Sequence, residues 1–170
     1  MKLSVCINTQ GIIGKDLNLI YSFKSDLIRF KELTSKGKDP HVVMGRLTYD
    51  SIGKPLPNRT NIVISNTLNE IPGCIVMDLH TFIDKYKLHT NMWIIGGGQI
   101  YKQLIDFVDV AYITYVQDDE IYDISYININ ETLKFINSEF IPTNSSLWST
   151  ELNRINNSMH SICFLDYERK

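Results

Sequence analysis

The sequence has no long hydrophobic run, almost no net charge and no basic segment. Its 170 residues carry a formal charge of −2, which argues against a nucleic-acid-binding protein because such proteins present a basic face. A membrane-spanning helix needs about 20 consecutive apolar residues, and no run approaches that length, so we expect no membrane association. The apolar start turns polar at Asn8, too soon for a secretory signal. These absences predict a cytoplasmic protein.

Cysteine and histidine are too sparse and too scattered to indicate a disulfide framework or a metal site. The three cysteines, Cys6, Cys74 and Cys163, are odd in number and far apart, which is typical of reduced thiols in a cytosolic protein. The four histidines show no metal-ligand spacing. We therefore expect reduced cysteines and no bound metal ion.

Length and composition predict one domain over residues 1–170. At 44% hydrophobic residues the chain can build one sizeable core. Short apolar strands alternate with helical patterns through the first two-thirds, which indicates βαβ units. Strands are predicted near residues 2–8, 41–45, 61–65, 74–77, 91–95 and 109–116, and helices near 24–35, 48–53, 79–86 and 98–106. We predict a loop at 117–132 and strands within 133–141 and 147–168. The predicted fold is α/β, with a mainly parallel central β-sheet, an antiparallel C-terminal edge hairpin and helices on both faces.

Residues 44–66 combine the end of a buried strand, a glycine turn, a short helix and a second strand. The first strand ends at Gly45, and Thr48 is placed to cap the short helix. A helix N-terminus after a glycine turn attracts an anion, and Arg46 adds positive charge beside it. Arg59 stands just before the second strand. The pattern predicts a phosphate site beside a carboxylate-binding arginine, although each arginine alone could be an ordinary surface charge.

Residues 92–101 form a second pattern of strand, glycine turn and helix start. The three glycines 96–98 lack a Cβ, so a pyrophosphate could approach the backbone beside a helix N-terminus. The Rossmann fingerprint needs a glycine where Tyr101 stands, so that fold fits poorly. A tight turn without any ligand is the alternative interpretation.

Asp26 is the candidate acid in the N-terminal third. It begins a helical pattern that places it on the same face as Phe30. A carboxylate at this position can also serve the helix dipole or an N-cap, and the residues alone leave that interpretation open. In an apolar pocket the carboxylate would lose solvation, so we expect a raised pKa.

At these residues the sequence resembles a known family. Residues 44–59 follow the pattern Met-Gly-Arg-x-Thr-x-x-Ser-Ile-Gly-Lys-Pro-Leu-Pro-x-Arg, and residues 95–101 follow Ile-Gly-Gly-Gly-x-x-Tyr. Both patterns resemble dihydrofolate reductase. The resemblance implies NADPH-dependent reduction of 7,8-dihydrofolate to 5,6,7,8-tetrahydrofolate, which supplies one-carbon metabolism and thymidylate synthesis. It further implies a monomer that binds antifolates such as methotrexate or trimethoprim.

The resemblance also implies a set of site residues. Asp26 would bind the pterin ring, Thr114 would support its carboxylate, and Tyr21 would take the place of a tryptophan beside the pterin. The implied substrate-binding residues are Cys6, Leu27, Phe30, Ile52, Leu56, Arg59 and Ile95, with Arg59 on the substrate's α-carboxylate. The implied cofactor-binding residues are Ile13, Gly14, Leu19, Gly45, Arg46, Leu47, Thr48, Ser65, Asn66, Gly97, Gly98, Gln99, Ile100 and Tyr101. Arg46 and Thr48 would lie at the phosphates, Ser65 and Asn66 at the 2′-phosphate, and the Gly96–Gly97 peptide would be cis.

The departures from the family pattern concern a mobile loop. Residues 19–21 read Leu-Ile-Tyr where the family usually has Leu-Pro-Trp, and we expect the Tyr21 hydroxyl to hold a water near the pterin. Asp123 is expected to brace this loop, although Tyr122 replaces the usual glycine. The altered loop keeps open a catalytically weak NADPH- or folate-binding protein with a structural role. The other alternative is a flavin-pathway pyrimidine reductase of the same fold, which would not need Asp26 and Arg59 together.

Overall fold

The computed structural model describes residues 1–68 and 70–170. The strands are β1 Lys2–Asn8, β2 Ile12–Lys15, β3 Asn18–Leu19, β4 His41–Gly45, β5 Thr60–Ile64, β6 Ile75–Met77, β7 Met92–Ile94, β8 Val110–Gln117, β9 Tyr126–Asn128, β10 Phe140–Ser145, β11 Ser149–Leu152 and β12 Met159–Arg169. The helices are α1 Lys24–Thr34, α2 Arg46–Ile52, α3 Leu79–Tyr86, α4 Gly98–Leu104 and α5 Asn130–Glu139, with a 3₁₀ turn at Ile105–Phe107. The strands and helices predicted in the first two-thirds are therefore confirmed.

The strands form one large sheet and one small sheet. The large sheet has the order β10-β12-β8-β1-β7-β4-β5-β6, with β11 paired to β12. The strands from β8 to β6 run parallel to one another, whereas β10, β11 and β12 pair antiparallel at the other edge. The predicted parallel sheet with an antiparallel C-terminal edge is confirmed. The small antiparallel sheet, in the order β3-β2-β9, had no counterpart in the prediction.

The core lies on both faces of the large sheet because successive strand residues point to opposite sides. Val43 packs in the larger cluster, which includes residues of α3, α4 and α5. Its neighbours Val42 and Met44 pack in a second cluster with parts of α1 and α2. All three side chains are fully buried, which is typical of a parallel strand covered by helices on both faces.

One predicted strand is wrong. Residues 133–141 were expected to extend, but residues 130–139 form helix α5. Leu133 and Ile136 are buried and lie three positions apart, and Phe140 follows four positions later, so the apolar residues recur with helical spacing. The β-branched and aromatic content of this segment obscured that spacing. The predicted loop at 117–132 is only partly correct, since it contains β9 and the start of α5.

The parallel strands present their carboxyl ends at one edge of the sheet. β4 ends at Gly45, β5 at Ile64 and β7 at Ile94, and each is followed by a turn into the next element. Open α/β sheets bind ligands outside this edge. Within the part of the chain that the structure describes, no helix is long and apolar enough to cross a membrane.

Candidate active site

A cavity of about 1120 Å³ opens along the carboxyl edge of the parallel strands. Its lining includes every site residue predicted above except Thr114 and Arg59. Predicted residues as far apart in the chain as Cys6 and Tyr101 therefore line one cavity. The fold thus gathers the predicted site into a single cavity.

Asp26 and Thr114 form a hydrogen-bonded pair at the cavity. The Thr114 hydroxyl, buried on β8, donates to Asp26 Oδ1 at 2.6 Å. Burial raises the pKa of Asp26, although the Thr114 bond and the Arg29 charge both lower it, and the net shift is upward. Burial likewise raises the pKa of the Cys6 thiol, and the Asp26 charge adds to that rise. The expected raised pKa of Asp26 agrees with the structure.

Apolar side chains and an arginine define the end of the cavity beyond Asp26. Leu27, Phe30, Ile52 and Leu56 all line it. The Arg59 guanidinium lies 5.8 Å from the ring centre of Phe30, so it sits at the margin of this end and not within the lining.

The Arg59 guanidinium is oriented by bonds to its own surroundings. Its Nη1 donates to Thr34 Oγ1 at 2.7 Å, and its Nε donates to the Pro57 carbonyl at 3.1 Å. Burial lowers the pKa of Arg59, but the group stays charged. These bonds fix the plane of the guanidinium group, whose paired N–H groups can bind a carboxylate through two hydrogen bonds.

The glycine turn packs directly against the start of α2, and both line the cavity. The Gly96–Gly97 peptide is cis, as the resemblance predicted, and the Gly45 N–H donates to the Gly96 carbonyl at 2.8 Å. A Cβ on Gly97 would meet Thr48 Oγ1 at 3.0 Å. A side chain at Gly97 would therefore force the Thr48 hydroxyl to shift.

The capping role predicted for Thr48 is wrong. Helix α2 begins at Arg46 with Gly45 as its N-cap, and α4 begins at Gly98 with Gly97 as its N-cap. Neither cap supplies a side chain, so first-turn N–H groups of both helices lack an intrahelical partner. Thr48 lies inside α2, where its hydroxyl faces the glycine turn.

The polar groups predicted for the cofactor carry contacts of their own. Arg46 Nη1 donates to Asp50 Oδ2 at 2.7 Å on the exposed side of α2. The Ser65 hydroxyl oxygen accepts from the N–H groups of Thr67 and Leu68 at 3.2 and 3.0 Å. Asn66 is exposed beside it. The charge of Arg46 is thus partly neutralised by Asp50.

The structure gives the Tyr21 hydroxyl a partner that the sequence did not indicate. That hydroxyl donates its single proton to Asp118 Oδ2 at 2.6 Å in a buried hydrogen bond. It could therefore hold a water beside the pterin only as an acceptor, and that role stays a prediction. The Asp123 carboxylate accepts from the N–H and hydroxyl of Ser125 in its own turn, and the brace expected from it stays a prediction.

Sequence reasoning missed one wall of the cavity. This wall consists of residues 127–132, which connect β9 to α5. Its helical start was predicted as loop, so nothing in the local pattern directed these residues to the site. Other lining residues absent from the prediction are Ser4, Val5, Asp16, Leu17, Asn18, Ser51, Ile64, Leu79, Lys102 and Gln103.

A cluster of Asp39, His41 and His89 lies at the opposite end of β4. The Asp39 carboxylate is 3.7 Å from His41 Nδ1 and 3.8 Å from His89 Nε2. His41 Nδ1 also lies 2.9 Å from the Asp39 carbonyl oxygen. Spacing along the sequence gave no sign of this grouping, because the second histidine comes from the loop before β7. The cluster is separated from the cavity by the length of β4.

Comparison with known proteins decides the family. The sequence model described as dihydrofolate reductase matches residues 1–153 of this chain. The chain belongs to the dihydrofolate reductase family. The dihydrofolate reductase of Bacillus subtilis is 35% identical over 136 residues, which cover 78% of this chain and 79% of that protein. That of Haemophilus influenzae is 37% identical over 118 residues, covering 69% and 72% respectively.

A solved dihydrofolate reductase has the same architecture. The enzyme from Enterococcus faecalis, in complex with NADP(H) and RAB-propyl, superposes with a TM-score of 0.76. It is 25% identical in sequence, and the match covers 99% of this chain and 95% of that one. The dihydrofolate reductase fold therefore extends beyond the matched residues 1–153 into the edge strand β12.

Proposed function

We propose that this protein reduces 7,8-dihydrofolate to 5,6,7,8-tetrahydrofolate with NADPH. The observation that carries the proposal is the Asp26–Thr114 pair, which places a carboxylate in the cavity that the glycine turn also lines. One cavity thus offers an anionic hydrogen-bond acceptor for a pterin and a side-chain-free surface for a dinucleotide. The family assignment supports the same activity.

The residues around the glycine turn fit a nicotinamide dinucleotide phosphate. Gly97 and Gly98 offer only backbone atoms where they line the cavity, and the uncapped N–H groups of α2 and α4 favour phosphate oxygens. Thr48 and Arg46 would hold the pyrophosphate, and Ser65 with Asn66 would hold the 2′-phosphate. The remaining contacts would come from Ile13, Gly14, Leu19, Gly45, Leu47, Gly98, Gln99, Ile100 and Tyr101. When bound, NADPH supplies the hydride for C6 of dihydrofolate.

The substrate lies across the Asp26 end of the cavity. Asp26 accepts hydrogen bonds from N3 and the 2-amino group of the pterin, and Thr114 keeps the carboxylate in place. Cys6, Leu27, Phe30, Ile52, Leu56 and Ile95 exclude water from the ring system. Arg59 binds the α-carboxylate of the glutamate tail through its fork. Antifolates that carry a 2,4-diamino ring, such as methotrexate and trimethoprim, would compete for Asp26.

Reduction also requires a proton at N5. A carboxylate bonded to N3 is too far from N5 for direct transfer, so the proton arrives through water while Asp26 polarises the pterin. The main contribution of the protein is proximity, since the cavity walls hold NADPH and dihydrofolate next to each other and exclude water. We further propose that the protein acts as a monomer in the cytoplasm, where its three free cysteines would stay reduced.

An assay of NADPH oxidation tests this proposal. Wild-type protein is expected to oxidise NADPH only when dihydrofolate is added, and methotrexate is expected to block the reaction. Binding of NADPH and methotrexate without turnover would instead favour the catalytically weak binding protein. Oxidation that requires a flavin-pathway pyrimidine and ignores dihydrofolate would favour the pyrimidine reductase. The same assay on Asp26→Asn tests the role of the cavity carboxylate. Its matched control is Asp119→Asn, which alters an exposed carboxylate outside the cavity.

A further inference from the structure

Asp118 receives three hydrogen bonds from two different parts of the chain. Its Oδ2 accepts from the hydroxyls of Tyr21, at 2.6 Å, and Tyr122, and its Oδ1 accepts from the Glu120 N–H at 2.9 Å. The two hydroxyl oxygens are 3.2 Å apart. Asp118 is only 6% exposed. The carboxylate therefore joins the segment before α1 to the loop after β8.

A second contact fixes the backbone on either side of Tyr21. Asn153 is fully buried, and its Nδ2 donates to the Ile20 carbonyl at 2.8 Å while its Oδ1 accepts from the Ser22 N–H at 3.0 Å. The Arg154 N–H donates to the Ser22 carbonyl at 2.9 Å. Tyr21 is thus held at its hydroxyl by Asp118 and at both flanking peptides by Asn153.

Asp118 owes its place to hydrogen bonds more than to an ion pair. Among the residues that the structure describes, no lysine, arginine or histidine forms a salt bridge with it, although the pKa of Asp118, which burial raises, is lowered on balance by its hydrogen bonds and the His160 charge. Burying a carboxylate in this way costs free energy that its hydrogen bonds must offset. An apolar side chain could fill the same space without that cost. What Asp118 adds is a set of directional hydrogen bonds, which can fix the position of the groups that donate to it.

Tyr21 connects this network to the cavity. Its ring stacks with Phe23 at 6.1 Å, and it lines the cavity that Asp26 also lines. We propose that Asp118 is a positioning residue, which holds Tyr21 and, together with Asn153, the segment 15–22 against the cavity before any ligand binds. Its effect on turnover rests on the function proposed above.

The proposal predicts a loss of affinity more than a loss of chemistry. If the segment is held in place beforehand, cofactor and substrate need not order it when they bind. Without the Asp118 bond only a fraction of the molecules is competent to bind, so the apparent dissociation constant rises by the inverse of that fraction. Once both ligands are bound, the segment is ordered and the rate of the chemical step is retained.

Hydrogen exchange on the ligand-free protein tests the positioning itself. Tyr21→Phe removes the donor hydroxyl and Asp118→Ala removes the acceptor, and each is expected to speed amide exchange within residues 15–22 about tenfold, which corresponds to about 1.4 kcal/mol. Because both changes break the same bond, the double variant is expected to exchange no faster than the faster single variant. Asp119→Asn is expected to exchange like the wild type. Unchanged exchange in Tyr21→Phe, or an equal increase in Asp119→Asn, would overturn the proposal.

Steady-state kinetics separate positioning from general destabilisation. Asp118→Ala, which leaves the cavity lining itself intact, is expected to raise the NADPH Kd and the dihydrofolate KM about tenfold, while kcat stays within about threefold of the wild type. A large fall in kcat with unchanged Kd would contradict the proposal. If the wild type does not oxidise NADPH with dihydrofolate, the proposed function fails, whereas the exchange rates still decide whether Asp118 positions the segment.

Discussion

The Thr114 hydroxyl donates to Asp26 Oδ1 at 2.6 Å, and this bond opposes the effect of burial on the carboxylate. Burial raises the pKa of Asp26, while the Thr114 bond lowers it by stabilising the ionised form. β8 supplies the donor and α1 the acceptor, so the relationship depends on the fold and not on neighbouring sequence. The Thr114 bond gives the Asp26 carboxylate a defined orientation and limits the rise of its pKa.

Asp26→Asn is expected to lower kcat at about pH 7 by about 100-fold, within the range that general acid–base groups contribute. The amide can still bond to Thr114, but it cannot polarise the pterin as a carboxylate does. At low pH the solvent supplies the N5 proton more readily, so the loss is expected to shrink. A pH profile of kcat for wild type and variant measures this. A variant that loses the same factor at every pH would contradict the proton role of Asp26.

Thr114→Val is expected to raise the pKa of Asp26 further, because it removes a hydrogen bond to the ionised form. The pKa can be followed by carbon NMR of the labelled Asp26 carboxyl group in the ligand-free protein. Valine matches threonine in shape, so the change tests the hydroxyl alone. A pKa that falls or stays the same would show that the bond does not stabilise the carboxylate.

The raised pKa of Asp26 also predicts an effect on stability. An acid with a raised pKa in the folded state costs nothing while it is protonated in both states, below about pH 4. The cost grows as the pH rises through the unfolded-state pKa and is complete above the folded-state pKa. Asp26→Asn is therefore expected to have a higher free energy of unfolding than the wild type at about pH 7 and a similar one at about pH 3. Urea denaturation at both pH values measures the difference, with Asp119→Asn as the control.

Arg59→Lys is expected to raise the KM for dihydrofolate about tenfold and to leave kcat within about twofold. Lysine keeps the charge but loses the planar fork that binds a carboxylate through two hydrogen bonds. A substrate analogue without the glutamate tail is expected to show no such change. The control is Lys54→Ala, which removes an exposed charge close in sequence. An equal rise in the KM for the analogue without the tail would show that Arg59 supports the fold and does not bind the tail.

Asn66→Asp is expected to weaken NADPH binding about tenfold and to leave the much weaker NADH binding unchanged. The new carboxylate would stand at the proposed 2′-phosphate site, where like charges repel. Titration of each cofactor at low and moderate salt measures the effect, and the NADPH penalty is expected to shrink as salt screens it. An equal loss of affinity for NADPH and NADH would show that Asn66 does not lie at the 2′-phosphate.

Local signals predicted the elements that carry most of the site. A glycine marks the turn at the end of the strand before Gly45, and the glycines 96–98 mark the turn after the strand at Met92–Ile94. Residue type and spacing therefore suffice to predict both turns. The strands of the small sheet, by contrast, have only two to four residues and are too short for a readable alternation. Helix α5 was hidden because two of its three buried residues, Thr132 and Ile136, are β-branched and therefore favour a strand prediction.

The contacts of Tyr21 could not be predicted from the sequence. Its partner Asp118 lies 97 positions away, and Asn153, which holds the peptides on either side, lies more than 130 away. The family resemblance directed attention to Asp123 instead, since that residue occupies the familiar position. Only the packing of Tyr21 with residues of β8 and β12 shows which carboxylate the tyrosine reaches.

The most direct test of the central claim follows deuterium from cofactor to product. NADPH that carries deuterium at the transferable position of nicotinamide C4 is incubated with dihydrofolate and the wild-type protein, and the product is analysed by mass spectrometry and NMR. We expect one deuterium at C6 of tetrahydrofolate for each NADPH consumed. NADPH oxidation without deuterium at C6, or no oxidation although both ligands bind, would contradict the account.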